Sequence, residues 1–550
     1  MLDKSTTAAR AVVSALINQG VQHAVIAPGS RSAPLAIAFM QAEVAGLLKV
    51  HVRIDERDAG FLALGLAKAS GDLVPIVVTS GTAVANLLPA VVEAYQSGIS
   101  LLVLSADRPD SARGKSAPQT IAQSNIFGSF VKANYDTACD LFSETTFAEL
   151  IELSRSTHRG PIQVNIQFEM PLVPTAENVA WVPQRTDVNL SANEEPLRQS
   201  LELPAHGLIV AGDIVDIAQA SEVGKLAQAL GWPIIAEPSA NLHFEVNNLA
   251  HGVLVVASNS LPTPECVLTV GTVGLSRPIL NLLKVTPNHI AVHLSGNGPD
   301  LPDPVQSANE VLDTLPAVAS QVDSEWLSSW QHVDSIIGDI VSRSLQAQTL
   351  SGPAAALQVW NHACDSDQLV IAASWPVRHI EAFAPKRTGL RVFGNRGANG
   401  IDGLISTAWG IADLTPERTY LLIGDVAFLH DIGGLNVGEG TEQPNLTVVV
   451  LDNDGGGIFS QLEQGRPEFE PYFEKVFGTP HGKDLWQISE SFGFATTRVT
   501  TQQELKNALQ RTSSIPGVHI VICLTGERAL ENALIQQINQ EIGQTLSTSA

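Results

Sequence analysis

Two polar segments follow neighbouring apolar runs in the last third of the chain. IGDVAFLHD places Gly424 and Asp425 after one run, and VVVLDNDGGGIF places Asn453 and a glycine-rich turn after the next. Parallel strands joined by a right-handed crossover bring their carboxyl ends side by side. A carboxylate, an amide and backbone carbonyls are oxygen ligands suited to Mg²⁺, with the phosphates of a cofactor completing the shell. An ordinary βαβ unit whose polar residues only end its strands is the alternative.

A second candidate group lies near the amino terminus in HVRIDERDAGFLALGLAKASG. Asp55 suits the position of a helix cap, and acidic residues in a first helical turn interact favourably with the helix dipole. Alternatively, Glu56 stands at a strand-to-helix junction, where a partly desolvated carboxylate can exchange a proton with a bound heterocycle. The segment by itself leaves both interpretations open.

Two further turns follow apolar runs in the same region. IAPGSRSAPLA carries Ser30 and Arg31 at a helix start, where backbone amides and a guanidinium can converge on an anion. TSGTAVANLLPAV places Ser80 and Gly81 in a polar turn before an apolar helix that contains Asn86. Each turn is also compatible with a well-capped core helix.

Arginines at strand ends are informative because basic residues are scarce in this chain. Besides Arg31, such positions are Arg108 in SADRP, Arg378 in AASWPVRH, where Ser374 precedes it, and Arg396 among the glycines of GNRGANGIDG. A guanidinium at the carboxyl end of a strand fits bidentate capture of a carboxylate. The sequence therefore predicts an anion-binding pocket, although it does not show that these arginines converge.

Composition narrows the class of protein. A chain of 550 residues predicts three or four domains. Its net charge of −24 argues against nucleic acid or an anionic membrane as a partner. The amino terminus lacks the layout of a signal peptide, and no apolar stretch reaches the length of a membrane span. We expect a soluble cytoplasmic protein with reduced thiols, since no CxxC pair occurs among Cys139, Cys266, Cys364 and Cys523.

Short apolar runs alternate with helical segments along the chain, which is typical of α/β folds with doubly wound parallel sheets. The pattern predicts domains over residues 1–181, 199–340 and 352–550, with a polar linker over 182–198 and a helical stretch over 320–348. The first and third blocks share polar or glycine-rich turns after successive strands. Ligands of open parallel sheets bind at such carboxyl ends.

Together, these segments resemble the thiamine-diphosphate-dependent decarboxylases and carboligases. More narrowly, they resemble the family of 2-succinyl-5-enolpyruvyl-6-hydroxy-3-cyclohexene-1-carboxylate (SEPHCHC) synthases of menaquinone biosynthesis. The matching motifs are APGSRSAPL, HVRIDERDAG, TSGTAVANLLPAVVEA, LSADRP, NRGANGIDGLISTA, IGDVAFLHD and DNDGGGIFSQLEQG. They cover the first and third blocks well and the middle block weakly. The resemblance implies an N-terminal pyrimidine-binding domain, a central α/β domain and a C-terminal diphosphate-binding domain.

The resemblance also implies a role for each candidate residue. Asp425, Asn453 and the carbonyl of Gly455 would hold Mg²⁺, or Mn²⁺, against the diphosphate. Glu56 would hydrogen-bond the aminopyrimidine and so promote loss of the C2 proton of the thiazolium, an electron sink that side chains lack. Ile401 would support the bent cofactor. The other cofactor contacts would be Ser80, Gly81, Asn86, Gly424, Gly456 and Ile458, and the substrate pocket would be lined by Ser30, Arg31, Arg108, Gln119, Ser374, Arg378 and Arg396.

The implied reaction decarboxylates 2-oxoglutarate on the cofactor, adds the resulting succinyl-semialdehyde carbanion to isochorismate and releases CO₂. Both substrates are dicarboxylates, so arginines in a low-dielectric cleft would outweigh distant, salt-screened surface charge. The family implies a homodimer or homotetramer with active sites shared between subunits. Two alternatives stay open. One is another thiamine-diphosphate enzyme, such as an acetohydroxyacid synthase or a 2-oxoacid decarboxylase, and the other is a non-catalytic nucleotide-binding or regulatory protein of the same fold.

Some positions depart from the pattern of these families. Val426 stands in the diphosphate motif where glycine is frequent, and Pro118 precedes Gln119 where asparagine is frequent. Ser276 and Arg277 occupy a stretch where a lysine–arginine pair can occur, so Arg277 is left outside the expected site.

Overall fold

Three parallel sheets follow one another along the chain, with six, five and six strands. This architecture confirms the expected α/β fold. The structure is a computed structural model and describes residues 2–176, 179–185, 198–274, 276–294, 296–319, 322–346 and 349–549. Most of the predicted linker, from 186 to 197, lies outside the described residues.

The first unit contains a six-stranded sheet. Its strands are β1 (His23–Ile26), β2 (Lys49–Val52), β3 (Val74–Val78), β4 (Leu101–Asp107), β5 (Asn134–Ala138) and β6 (Ile162–Gln167). Its helices are α1 (Lys4–Asn18), α2 (Ala33–Val44), α3 (Glu56–Ser70), α4 (Thr82–Ala85), α5 (Leu88–Gln96) and α6 (Glu144–Ser154). The order is β2-β1-β3-β4-β6-β5, and β3 and β4 are buried along their whole length because helices cover both faces.

The central unit contains a five-stranded sheet of order β12-β11-β10-β8-β9 and a separate β13-β7 pair. Its strands are β7 (Ser200–Leu201), β8 (Gly207–Ala211), β9 (Ile234–Ala236), β10 (Cys266–Val270), β11 (Asn288–Val292), β12 (Glu310–Leu312) and β13 (Ala317–Val318). Its helices are α7 (Ile217–Leu230), α8 (Gly252–Ser258), α9 (Arg277–Val285) and α10 (Ser324–Ser344). The helix α10 accounts for the predicted helical stretch over 320–348, of which 320–321 and 347–348 lie outside the described residues.

The third unit repeats the topology of the first. Its strands are β14 (Gln368–Ile371), β15 (Arg391–Phe393), β16 (Thr419–Gly424), β17 (Leu446–Asp452), β18 (Ala495–Val499) and β19 (Val518–Leu524). Its helices are α11 (Gly352–His362), α12 (Trp375–Phe383), α13 (Leu404–Ala412), α14 (Asp425–His430), α15 (Glu470–Phe473), α16 (Leu485–Ser491), α17 (Gln502–Ser513) and α18 (Arg528–Ser549). The order β15-β14-β16-β17-β19-β18 is the same succession as in the first sheet, which confirms the shared pattern seen in the sequence.

Helices α3 and α13 pack closely and join the first and third units. A Cβ atom on Gly65 would lie 2.1 Å from the carbonyl oxygen of Thr407, and one on Gly410 would lie 2.3 Å from that of Leu62. Glycine at both positions therefore lets the two backbones touch. The apolar residues around this contact form one core that spans both units. Because α3 begins at Glu56, this packing fixes the position of the candidate catalytic carboxylate.

The start of α3 confirms the expected cap, whereas the region of Asn86 corrects an expectation. Asp55 accepts a hydrogen bond from the Arg57 amide at 2.9 Å, as a helix cap does. Asn86 does not lie inside one helix: it ends α4, and α5 begins at Leu88. Pro89 lies in the first turn of α5, where its ring is tolerated, whereas inside a continuous helix it would remove a hydrogen bond and clash with the preceding turn.

All four cysteines are free thiols in the structure. Within the described part of the chain, no helix is both long enough and apolar enough to span a bilayer.

Candidate active site

The candidate residues form two rows, one along the carboxyl edge of each six-stranded sheet. In the first unit the turns after β2, β1, β3 and β4 carry Glu56, Arg31, Ser80 and Arg108. In the third unit the turns after β15, β14, β16 and β17 carry Arg396, Ser374, Asp425 and Asn453. Crevices at such edges are where open α/β sheets bind ligands.

Asp425 lies where β16 and β17 end side by side, with Gly424 paired to Leu451. One carboxylate oxygen accepts a hydrogen bond from the Val426 amide at 2.6 Å. The other accepts from the amides of Asn453 at 3.2 Å and Gly455 at 2.8 Å. The structure therefore brings the two polar segments together, as the crossover argument predicts. Backbone amides hold the buried carboxylate at the strand ends.

Asn453 and Gly455 fit a cation beside this carboxylate. The side-chain oxygen of Asn453 is buried without a hydrogen-bond partner. Such an acceptor costs about 1–3 kcal/mol, and a bound cation would remove that cost. Gly455 has φ +133°, and a Cβ atom there would lie 2.1 Å from the Gly478 carbonyl oxygen, so only glycine fits. A carboxylate, a partnerless amide oxygen and a tight glycine turn suit Mg²⁺ or Mn²⁺ with a diphosphate.

His481 is a further residue of this edge that the sequence did not indicate. Its Nε2 lies 3.4 Å from the Asp425 carboxylate and 3.7 Å from that of Asp452. The hydrogen bond to Asp425 raises the pKa of His481, while burial and the neighbouring Asp425 raise the pKa of Asp452 to about 6. His481 follows no strand, so no strand-end signal could have found it. The amides of His481 and Gly482 donate to the Asp454 carboxylate and close the loop onto the glycine turn.

A cavity of about 630 Å³ opens beside these residues. Asn453, Lys483 and Arg528 are among its lining residues, and Arg528 donates to Glu474 at 2.6 Å. Gly456 donates its amide to the Gly478 carbonyl at 2.8 Å, and Ile458 lies half-buried in the short 3₁₀ turn that follows. Lys483 and Arg528 share the lining with four carboxylates, those of Asp452, Asp454, Glu474 and Glu527, so a diphosphate would need its metal ion to bind here.

Glu56 is half-buried at the first position of α3 and contacts Asn86. The Asn86 amide donates to the Glu56 carboxylate at 3.3 Å. Because Asn86 ends the short helix α4, the break before Leu88 allows this contact. Ile401, expected to support the cofactor, is partly buried against the core that α3 and α13 share.

The turn after β3 is held by two glutamines. Ser80 donates its hydroxyl to the Gln119 carbonyl at 2.9 Å, and the Gln119 side chain donates to the Ser80 carbonyl at 3.1 Å. Gly81 has φ +89° and donates its amide to the buried Gln123 side chain at 2.9 Å. Gln119 thus lies beside the expected cofactor turn despite the preceding proline. Gln123 was missed because it lies in an irregular loop without a strand-end position.

The strand-end arginines form two pairs, and the first pair lies in the first unit. Arg31 donates to the Phe168 carbonyl at 2.9 Å, and Ser30 lies exposed in the same turn. Arg108 donates to the Pro118 carbonyl at 2.9 Å and the Thr120 hydroxyl at 2.7 Å. Burial and the nearby Arg108 cation lower the pKa of Arg31. Two neighbouring guanidinium groups that repel each other are suited to bind an anion.

The second arginine pair lies in the third unit. Arg378 donates to the Ser374 carbonyl at 2.9 Å, and burial lowers its pKa, with a further contribution from nearby Arg396. Arg396 donates its Nε and Nη2 to the two carboxylate oxygens of Glu237 at 3.0 and 3.1 Å. The Arg396 guanidinium, which the sequence predicted to bind a substrate, is therefore paired with a carboxylate of the central unit. Glu237 was missed, although it follows a strand directly before a proline, the same signal that singled out the arginines.

Comparisons with known proteins define the class. Residues 6–126 match the N-terminal TPP binding domain of thiamine pyrophosphate enzymes, and residues 377–523 match the C-terminal TPP binding domain. The fold and both edges of the site thus place the chain among the thiamine-diphosphate-dependent enzymes.

Curated relatives identify the family. The chain is 37% identical to the SEPHCHC synthase of Paenarthrobacter aurescens, an alignment covering 99% of this chain and 98% of the relative. It is 39% identical to that of Thermobifida fusca, covering 92% and 94% of the two chains, and 37% identical to that of Kineococcus radiotolerans, covering 95% and 96%. The chain belongs to the SEPHCHC synthase family.

Proposed function

We propose that this chain joins 2-oxoglutarate to isochorismate with loss of CO₂ and so forms SEPHCHC, a step of menaquinone biosynthesis. The observation that carries the proposal is the placement of the Asp425 carboxylate beside the partnerless amide oxygen of Asn453, at adjacent strand ends. In a member of the SEPHCHC synthase family, this pair is suited to hold the metal diphosphate of a thiamine cofactor.

Asp425, Asn453 and the Gly455 carbonyl would hold Mg²⁺, or Mn²⁺ in its place. Thiamine diphosphate, when bound, supplies the electron sink for decarboxylation and carbon–carbon bond formation. Glu56 would hold a proton at the aminopyrimidine, and its hydrogen bond from Asn86 keeps the carboxylate oriented. The other proposed cofactor contacts are Ser80, Gly81, Ile401, Gly424, Gly456 and Ile458.

The arginine pairs would bind the dicarboxylate substrates. Arg31 and Arg108 present one cationic group. Arg378 presents another beside Arg396, whose charge is paired with Glu237. Their burial strengthens attraction to carboxylates relative to the distant surface charge. The polar side chains proposed to complete the pocket are Ser30, Gln119 and Ser374. Acetohydroxyacid synthases and 2-oxoacid decarboxylases favour small or apolar substrates, which do not need two arginine pairs.

We propose a homodimer or homotetramer in which Glu56 meets the metal edge of a second copy. Apolar side chains flank this carboxylate and are exposed on a single chain: Val52 is 47%, Ile54 60% and Leu88 39% exposed. Exposed apolar clusters of this kind mark interaction surfaces.

We further propose domain boundaries at 1–181, 199–340 and 352–550, which the three sheets support. We also propose a cytosolic location, which the four free thiols support.

The proposal is tested by incubating the purified holoenzyme with 2-oxoglutarate alone, with 2-oxoglutarate plus isochorismate, and with pyruvate. We expect SEPHCHC only when both proposed substrates are present. Turnover of pyruvate alone would identify a different thiamine enzyme. If Mg²⁺ and thiamine diphosphate did not raise the melting temperature, the non-catalytic alternative would be favoured.

A further inference from the structure

A second group of metal-binding side chains lies away from the cofactor edge, where the first and third units meet. His23 begins β1, His51 lies in β2, and Asp413 follows α13. His23 Nδ1 lies 3.2 Å from His51 Nε2, which lies 3.7 Å from Asp413 Oδ2. One potential ligand atom from each residue lies within 4.8 Å of the other two.

Each imidazole can present one ring nitrogen to a metal ion. In the contact between His23 Nδ1 and His51 Nε2, one of the two nitrogens donates its hydrogen to the other. With an ion bound, that hydrogen would lie on the other nitrogen of the same ring, which leaves both facing lone pairs for the ion.

The carboxylate of Asp413 needs a cation. Its side chain is 6% exposed, so little water remains to stabilise the negative charge. Asp413 also caps the carboxyl end of α13, where the helix dipole disfavours negative charge. Lys49 now supplies the balancing charge: its Nζ donates to both carboxylate oxygens at 2.9 and 3.1 Å.

The spacing of the nitrogens matches a tetrahedral ion. Zinc–nitrogen bonds of about 2.0–2.1 Å at a tetrahedral angle separate two ligand nitrogens by about 3.3–3.4 Å. The observed separation is 3.2 Å. A hydrogen bond between the two rings would give the same distance. The metal site is favoured by the buried Asp413 carboxylate beside the rings, where the Lys49 ammonium shows that a cation is held.

We propose that His23, His51 and Asp413 form a Zn²⁺ site that ties the edge of the first sheet to the third unit. Two imidazoles and one carboxylate favour zinc over magnesium, and a water molecule would complete the tetrahedron. The ion takes the place of the Lys49 ammonium. Lys49 is 41% exposed and lies 3.6 Å from Glu442, which receives it when it leaves Asp413.

The site is tested by titrating Zn²⁺ into holoenzyme already saturated with Mg²⁺ and thiamine diphosphate, so that the cofactor edge is filled. We expect one additional Zn²⁺ per chain, measured by competition with a chromophoric chelator. Co²⁺ in its place should give the intense visible bands of a tetrahedral ion. The His51→Gln variant should lose the additional ion and these bands.

Lys49→Met should strengthen Zn²⁺ binding, whereas His51→Gln should abolish it. The reason is that Lys49→Met removes the ammonium that competes with Zn²⁺ for the Asp413 carboxylate. We expect it to bind Zn²⁺ about tenfold more tightly than the wild type. Cys364→Ser and His206→Gln are matched controls that remove an exposed thiol and a half-exposed imidazole elsewhere, and both should bind as the wild type does.

Retention of the additional ion in His51→Gln holoenzyme would overturn the proposal, as would unchanged Zn²⁺ affinity in Lys49→Met. If His51→Gln does not fold, the Lys49→Met result alone decides. Loss of the ion in Cys364→Ser would instead assign it to the surface thiol and would also overturn the site.

Discussion

The amide of Asn86 donates a hydrogen bond to the carboxylate of Glu56 across 3.3 Å, joining the turns after β3 and β2. Glu56 starts α3, whose packing on α13 is fixed by Gly65 and Gly410. The carboxylate is thus held from two sides, by a side chain and by the helix that carries it. A carboxylate held in this way is preorganised for proton transfer.

Glu56→Gln should lower kcat by about 10²–10⁴-fold, the range for loss of a positioned acid–base group. The melting-temperature gain with Mg²⁺ and thiamine diphosphate should stay, because the metal edge is intact. Steady-state kinetics and thermal denaturation measure the two effects. Asp55→Asn is the matched control, since asparagine still caps α3, and it should keep most of the activity. Equal activity of Glu56→Gln and wild type would contradict the role.

Asn453→Ala should separate metal binding from folding. Without cofactor, its melting temperature should equal or exceed that of the wild type, because the change removes a buried acceptor that has no partner. With Mg²⁺ and thiamine diphosphate, most of the gain should disappear. Thermal denaturation with and without both ligands measures this. If the melting temperature of the variant rose with both ligands as much as that of the wild type, the Asn453 oxygen would not be a ligand of the metal ion.

Glu237→Gln should weaken both the fold and substrate binding. Removing one charge of the buried pair with Arg396 should cost about 3 kcal/mol of unfolding free energy. The Arg396 guanidinium loses the two hydrogen bonds that orient it, so KM for a dicarboxylate should rise more than kcat falls. Urea denaturation and substrate kinetics test both effects. Glu265→Gln, which alters an exposed carboxylate of the same unit, should change neither.

Asp58 and Asp431 should make stability fall as pH rises toward neutrality. Both side chains are buried, and one oxygen of each carboxylate has no hydrogen-bond partner. Burial and the neighbouring Asp431 raise the pKa of Asp58 to about 7, while nearby Arg57 opposes the rise. Since the unfolded carboxyl titrates near pH ~4, the folded state binds the extra proton between about pH 4 and 7. The stability that this proton contributes is complete below about pH 4, falls across this range and is gone above about pH 7.

The Asp58→Asn variant should flatten this dependence. Its amide cannot ionise, so stability between about pH 5 and 7 should change less than in the wild type, and the variant should be the more stable form at about pH 8. Chemical denaturation across this range measures the slope. Parallel curves for the two proteins would show that the pair does not share a proton.

The sequence predicted the central strands and the turns that follow them, because apolar runs such as VPIVV and TVVVL are covered on both faces. It did not single out β5 and β18, whose polar sequences NYDTA and ATTRV carry no such pattern. His481 reaches the site through long-range contacts, which local spacing does not encode, whereas Glu237 has the same strand-end signal as the arginines. The break at Asn86 has a local signal in Pro89, which is tolerated in the first turn of α5 but not inside one helix that contains Asn86.

One measurement tests most directly that Glu56 and Asp425 serve the same cofactor from different subunits. Glu56→Gln and Asp425→Ala proteins, each inactive alone, are mixed under conditions of verified subunit exchange and assayed for SEPHCHC formation. Random exchange between two-fold dimers should restore about a quarter of wild-type activity, because each mixed dimer regains one intact site. No recovery despite verified exchange would contradict the shared site.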